Sequence, residues 1–277
     1  MVSGWKYGLS VLPFLLPPSP ALAASGDLVL SLGLVNIDNS RSYSTPQRNE
    51  VAPSIATQTG VVPARFDSPG TEETIGGAIK PILTLTYFMT DHWAVTAVGG
   101  VPPVLDVNGH GSVATPGLLN KIVPPVQMGL SANNPIATIR HWFPSAILQY
   151  HFANHGDKWD PFLGVGLGFS FFTDVKLRPG FDANLKQAGS FLALSTTLAP
   201  RNTTEAKASS AWRPLINAGI AYRLDQKWSM SLSASYVPIK TISTIHVRDK
   251  TGRVVLTSTA DLDIPTVATS ATLGMHF

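Results

Sequence analysis

The chain has 277 residues, a net charge of +3, 13% charged and 9% aromatic residues, and no cysteine. So small a net charge, with no Lys/Arg cluster interleaved with aromatics, leaves no footprint for nucleic acid, and the lack of cysteine excludes disulfides and thiolate metal sites. Charge well below the ~25% of soluble domains and a mean hydropathy of +0.15, with no 18-residue apolar run, exclude a membrane-spanning helix and favour membrane-crossing strands.

Residues 1–23 are expected to be a secretory signal. Lys6 is its positive segment, residues 7–16 are its short apolar stretch, and Ala21, Leu22 and Ala23 fit the small-x-small cleavage rule. Pro13, Pro17, Pro18 and Pro20 argue against a long helix there. Residues 24–277 are then one exported domain.

Successive side chains of a strand point to opposite faces, so period-2 alternation marks each strand. The first covers 27–37, with Leu28, Leu30, Leu32 and Leu34 on one face. Residues 38–74, rich in Pro, Ser, Thr, Asn and Gly, read as a long loop. Residues 81–101 hold the clearest pattern: Leu83, Leu85, Tyr87 and Met89 share a face, the turn Thr90, Asp91, His92 follows, and alternation resumes from Trp93. Residues 102–143 read as a second long loop, 145–152 as strand four, and 162–172 as strand five, whose second face carries Gly164, Gly166 and Gly168. Residues 173–211 form a third long segment, with a short helix expected within 181–198. Strand six spans 214–224 and a turn spans 225–227. Strand seven starts at Trp228 and puts Ser229, Ser231, Ser233 and Ser235 on one face. Strand eight ends the chain with Val267, Thr269, Ala271, Leu273, Met275 and Phe277 aligned.

Eight strands with connections alternating long and short fit an antiparallel transmembrane β-barrel with long extracellular loops and short periplasmic turns. Trp93, Trp159 and Trp228 fall at the short-turn side, and Trp142 and Trp212 at the long-loop side, as two aromatic girdles require. A soluble sandwich would carry charge on its outer faces, and these faces are uncharged. Inward positions include Thr84, Thr86, Phe88, Val98, Ile147, Gln149, Asn217, Ser233 and Ser235. The glycines and serines of strands five and seven have two readings: a narrow cavity, or packing relief in a tight barrel.

RDKTGR at 248–253 reads as a hairpin tip. It sets a register pairing Trp228 with Met275, Tyr236 with Val267, and Pro238 with Pro265. Proline donates no ladder hydrogen bond. That rung is either a weakness in the wall or the level at which the strands leave the membrane.

The segments PILTLTYF (81–88), TDHWAV (90–95), PSAILQYHF (144–152), WDPFLGVGLG (159–168), LDQKW (224–228) and ATLGMHF (271–277) together resemble the outer membrane protein W (OmpW) family. The long segments at 38–74 and 102–143 depart from the family's usual length. The resemblance implies an eight-stranded barrel in the bacterial outer membrane, contacting lipid, inserted by the barrel-assembly machinery that reads the C-terminal strand. It implies passage of small hydrophobic solutes that enter from outside and leave sideways into the bilayer, as in related alkane-uptake porins. The alternative from another class is a surface structural or adhesion barrel that works through its long loops.

Enzymatic signals are poor, and neither catalysis, a metal nor a cofactor is expected. The Gly164, Gly166, Gly168 run lacks the spacing and helix of a dinucleotide fingerprint, and no HExxH or EF-hand loop occurs. His151 and His155 lie at a strand end rather than on a helix. His110 and Ser112 sit in a Pro/Gly-rich loop rather than on a wall strand.

Overall fold

The structure, a computed structural model, describes residues 26–277 apart from 54–56, 58–59, 61, 115, 117–124, 154–156 and 193–201. The expected signal at 1–23 lies outside the described residues. In chain order the elements are β1 (Leu28–Asp38), β2 (Tyr43–Ser44), β3 (Gln47–Val51), β4 (Arg65–Ser68), β5 (Glu72–Ile75), β6 (Ala78–Phe88) and β7 (Trp93–Gly100). There follow β8 (Val104–His110), β9 (Ser112–Val113), β10 (Val126–Gln127), β11 (Ala137–Trp142), β12 (Ser145–His151) and β13 (Trp159–Leu177). The chain ends with α1 (Pro179–Leu192), β14 (Thr203–Ala208), β15 (Ala211–Arg223), β16 (Trp228–Arg248) and β17 (Val254–His276).

Eight of these strands close a ring in the order β1, β6, β7, β12, β13, β15, β16, β17, every neighbouring pair antiparallel. The first and last strands meet, from Val29 opposite His276 to Asp38 opposite Val267. No helix among the described residues is long and apolar enough to cross a membrane. A ring of strands satisfies every backbone group without one.

The strand pattern predicts the ring, but two expectations need correction. Residues 38–74 and 102–143 read as loops, yet they hold β2 to β5 and β8 to β11. Strands seven and eight keep the register set by the expected hairpin tip at 248–253. They run as β16 and β17 to that tip, with Pro238 opposite Pro265 and a shift only at Val247/Arg248. The short helix is α1, which starts two residues before the expected 181.

The physical reason lies in β16. Through Tyr236 its outward side chains are apolar (Trp228, Met230, Leu232, Tyr236) and exposed, while its inward ones are serines. From Val237 upward the inward positions Val237, Ile239, Ile245 and Val247 are buried and apolar, and outward Lys240 pairs with Asp263 at 3.2 Å. Parity is unbroken, but polarity inverts. That inversion marks where lipid outside gives way to water outside. Above it, β5, β8, β11 and β13 form one wall, and β14, β16, β17, β3 and β4 the other. Between them lies a dry core of Leu105, Val107, Ile139, Ile245, Leu256 and Leu262, covered by Phe181 and Leu185 of α1. The expected loops are thus an extracellular cap with its own core. Ser42 and Ser44 tie the two walls by hydroxyl bonds to the backbone of Ile75 and Glu73.

Two positions test this construction. Gly33 on β1 faces β17 so closely that an added Cβ would collide with the Ala271 carbonyl oxygen. Gly33→Val should cost ~1–3 kcal/mol or more as an overpacked contact. It should be seen as loss of the faster-migrating unboiled band on denaturing gels. Glu73 lies inside the cap, 2% exposed, and burial pushes its carboxyl up to about 7 against hydrogen bonds from Ser243 and Gln47. The folded cap therefore holds a proton that the unfolded chain releases near its ordinary value of 4.5. Stability is full below that value, falls as pH rises to about 7, and is flat above it, a total loss of roughly 3 kcal/mol. Glu73→Gln should abolish this slope and slow amide exchange in the cap at alkaline pH.

Candidate functional site

The barrel encloses a cavity of about 490 Å³, reaching from Phe88, His151 and Phe162 at the periplasmic end to residues 99–103 at the outer rim. All nine inward positions named from the sequence line it: Thr84, Thr86, Phe88, Val98, Ile147, Gln149, Asn217, Ser233 and Ser235. An eight-stranded barrel is only just wide enough for its own side chains. The room arises because the β16 face is serine, while Gly164, Gly166 and Gly168 of the β13 face do not line it. The glycine spaces are themselves occupied. A Cβ on Gly164 would meet Ile147 and Gln149, and one on Gly168 would strike the ring of Phe143.

Gly164 allows a polar belt to cross the barrel. Thr86 Oγ1 and Thr96 Oγ1 lie 2.8 Å apart, and Thr96 Oγ1 donates to Gln149 Oε1 at 2.5 Å. Gln149 Nε2 then donates over the bare β13 backbone to Asn217 Oδ1 at 2.8 Å, and Asn217 Nδ2 donates to Ser235 Oγ at 2.9 Å. Five side chains from five strands are joined, which removes the cost of burying unpaired amides. Below the belt, β16 and β17 carry a ladder of hydroxyl pairs: Ser233 with Ser270 at 2.9 Å and Ser231 with Thr272 at 2.7 Å. Ser229 Oγ meets His276 Nε2 at 2.9 Å. Sequence reasoning misses Thr96, the link on which the belt turns, although its place on the Val98 face is readable.

The cavity's two ends differ. Its floor is charged and polar, with Asp157, Lys158, Arg223 and the His151 to Asp160 contact of 2.6 Å. Its roof is the apolar cap core, beginning at Leu215, Val237 and Ile239. The wall's ladder is interrupted between β7 and β12. The β7/β12 pairing stops at Val98 opposite Ser145 and resumes as β8/β11 at Val104 opposite Arg140. Between these points lie Pro102 and Pro103 on one edge and Pro144 on the other, none with an N–H to donate. Val101 and Trp142 stand at this seam. Both are exposed, at 53% and 36%, and both line the cavity. Phe143, tucked under Gly168, forms the inner sill.

Pro238 and Pro265 face each other across an unbroken register, and neither lines the cavity. The flanking ladders are the interrupted ones. β15 leaves β16 above Ile216 opposite Tyr236, where the Arg213 guanidinium reaches the Lys240 carbonyl, and β14 takes over at Ala208 opposite Ser243. β1 leaves β17 above Asp38 opposite Val267, where Thr266 Oγ1 donates to Asn39 Oδ1 at 2.8 Å, and β2 takes over.

The tryptophans fall at two levels. Trp93 packs edge-on against Tyr150, Trp159 against Tyr222, and Trp228 opens β16 at the short-turn end. Trp142 stacks on Phe171, and Trp212 packs on Phe169, at the other end. His110 and Ser112 flank a turn at Gly111 (φ 77°) in the cap. Among the described residues no three His, Asp or Glu side chains group as a metal site would need.

Known proteins agree with this architecture. Outer membrane protein W of Escherichia coli is 24% identical over 159 residues, and the match spans only 57% of this chain and 57% of that protein. The Vibrio cholerae protein of the same name is 21% identical over 239 residues, 86% of this chain and 85% of its own length. Among solved structures, OprG of Pseudomonas aeruginosa has the same fold with a TM-score of 0.63, 18% identity, and coverage of 92% of this chain and 97% of its own. AlkL, solved in lipid bilayers, superposes with a TM-score of 0.53 at 18% identity, covering 96% of this chain and 97% of that one. The family model for the OmpW family matches residues 47–277. The chain is therefore an outer-membrane β-barrel that belongs to the OmpW family.

Proposed function

We propose that the protein is a conduit for small apolar solutes, which leave the lumen sideways into the outer leaflet between β7 and β12. The observation that carries this reading is the seam itself. Val101 and Trp142 line the cavity and are at the same time exposed. The floor supports it, because an apolar solute gains nothing by passing Asp157, Lys158 and Arg223 into water. The roof supports it too. The dry core of the cap closes the lumen's outer end, so the seam is the low-resistance path between cavity and surroundings.

The seam's chemistry suits such a role. Opening a ladder within hydrocarbon strands backbone donors and acceptors at several kcal/mol each. Here Pro102, Pro103 and Pro144 have no donor to strand, and the N–H groups of Val101 and His141 find Pro81 and Pro103 carbonyls at 3.3 and 3.0 Å. The exit lies at the seam rather than at the Pro238/Pro265 rung, whose two strands stay paired. The surface or adhesion reading draws on the folded cap, but a cavity of about 490 Å³ is more than a purely structural barrel needs.

Val101 and Trp142 lie on the two edges of the seam, within one residue of facing each other by the registers below and above it. The chain has no cysteine, so a Val101→Cys/Trp142→Cys pair is chemically unique. In outer-membrane vesicles, uptake of an apolar tracer should fall severalfold when the pair is oxidised and recover on reduction. Equal uptake in both states would exclude this exit.

A further inference from the structure

We infer that the lumen selects uncharged amphiphiles bearing a hydroxyl group, such as a long-chain alcohol or a phenol, over plain hydrocarbon. This narrows the solute of the proposed conduit and rests on that reading.

The two walls of the cavity differ in kind. One is mixed, with Ile82, Val98, Phe143 and Ile147 supplying apolar surface between Thr84, Thr86, Thr96 and Gln149. The other is the hydroxyl ladder of β16 and β17, with pairs 2.9 Å apart at Ser233/Ser270 and 2.7 Å apart at Ser231/Thr272. A hydroxyl has one donor and two lone pairs. A pair of hydroxyls uses one donor on itself and leaves the other O–H, with spare lone pairs, facing the lumen. Water satisfies these groups in an unfilled lumen. A hydrocarbon displaces the water and replaces none of its hydrogen bonds, which weakens binding. An alcohol displaces the same water, buries its tail on the opposite wall, and restores a bond from either side of the donor/acceptor relation.

Charge is absent where selection would occur. The ionic groups lining the cavity, Asp157, Lys158, Asp160 and Arg223, lie at its floor, so a charged head would be desolvated without a counter-ion at mid-height. The ladder also leads somewhere. At Ser235 it joins the belt through Asn217, Gln149, Thr96 and Thr86, which crosses to β7 and β6 just below the seam. A hydroxyl can move from rung to rung and then across the belt while its tail enters the seam at Val101 and Trp142.

The test compares uptake of decanol and decane into outer-membrane vesicles, each corrected for vesicles without the protein. The wild-type protein should carry decanol about fivefold faster, the factor that a single net hydrogen bond supplies. Ser231→Ala with Ser233→Ala should bring the ratio close to unity, and Ser231→Thr with Ser233→Thr, which keeps both hydroxyls, should retain it. Equal wild-type rates overturn the inference and leave the conduit standing, as does an unmoved ratio in an alanine variant that folds by gel mobility. If the alanine variant does not fold, the wild-type comparison decides alone. Rates no higher than those of protein-free vesicles for both solutes overturn the conduit, and the inference with it.

Discussion

A backbone amide in hydrocarbon has no water to bond, so each strand of this chain must find a neighbour on both sides. That requirement makes a ring of the eight strands and brings β1 to β17 although most of the chain separates them. It also explains why the sheet changes partners only near the outer rim. Where β15 leaves β16, β14 replaces it, and where β1 leaves β17, β2 replaces it. At both β15/β16 and β7/β12 the replacement begins several residues higher, at Ser243 of β16 and at Val104 of β8. Prolines occupy the β7/β12 gap and soften what it would otherwise cost.

The second constraint is the solvent on each side of the wall. Below Tyr236, lipid surrounds the barrel and the interior takes polar side chains. Above it, water surrounds the cap and the interior takes valine and isoleucine. One uninterrupted hairpin, β16 with β17, carries both arrangements without a change of parity. The dry roof of the lumen follows from this inversion, since the cap must bury an apolar core to stay folded in water. The cap's core and the lumen's apolar roof share Leu215, Val237 and Ile239.

These constraints account for what could be read in the residues alone. The eight membrane-level strands were legible because lipid demands strict alternation, and Leu83, Leu85 and Tyr87 display it without interruption. The register through Pro238 and Pro265 was legible because a one-residue slip would have turned serines to the lipid. The cap was not. Its strands are as short as Tyr43–Ser44 and Val126–Gln127, pair with distant segments, and stand among prolines and glycines that ordinarily signal loops. Hence Leu105 and Val107 went unrecognised as core. Of the site, the inward faces of the strands were readable from parity. The seam was hidden because it is a property of two edges parting, and residues 99–103 and 141–144 acquire meaning only when brought side by side. The route of Gln149 across Gly164 to Asn217 was likewise invisible, since it depends on which strand lies between them.

Floor, roof and seam act on a solute through different forces, and together they give the proposed route its direction. Toward the periplasm the path meets ionic groups whose desolvation opposes passage. Toward the outside it meets the packed apolar side chains of the cap, which leave only a small cavity of about 40 Å³. Only sideways does the lining change gradually, from hydroxyl to amide to Phe143 and Trp142, and then to lipid. An amphiphile following that gradient sheds water early, while the hydroxyl wall can compensate it, and releases its head group last. A barrel with a uniformly apolar lumen would bind such a solute in any orientation. The division of this lumen into two unlike walls is what would order the steps.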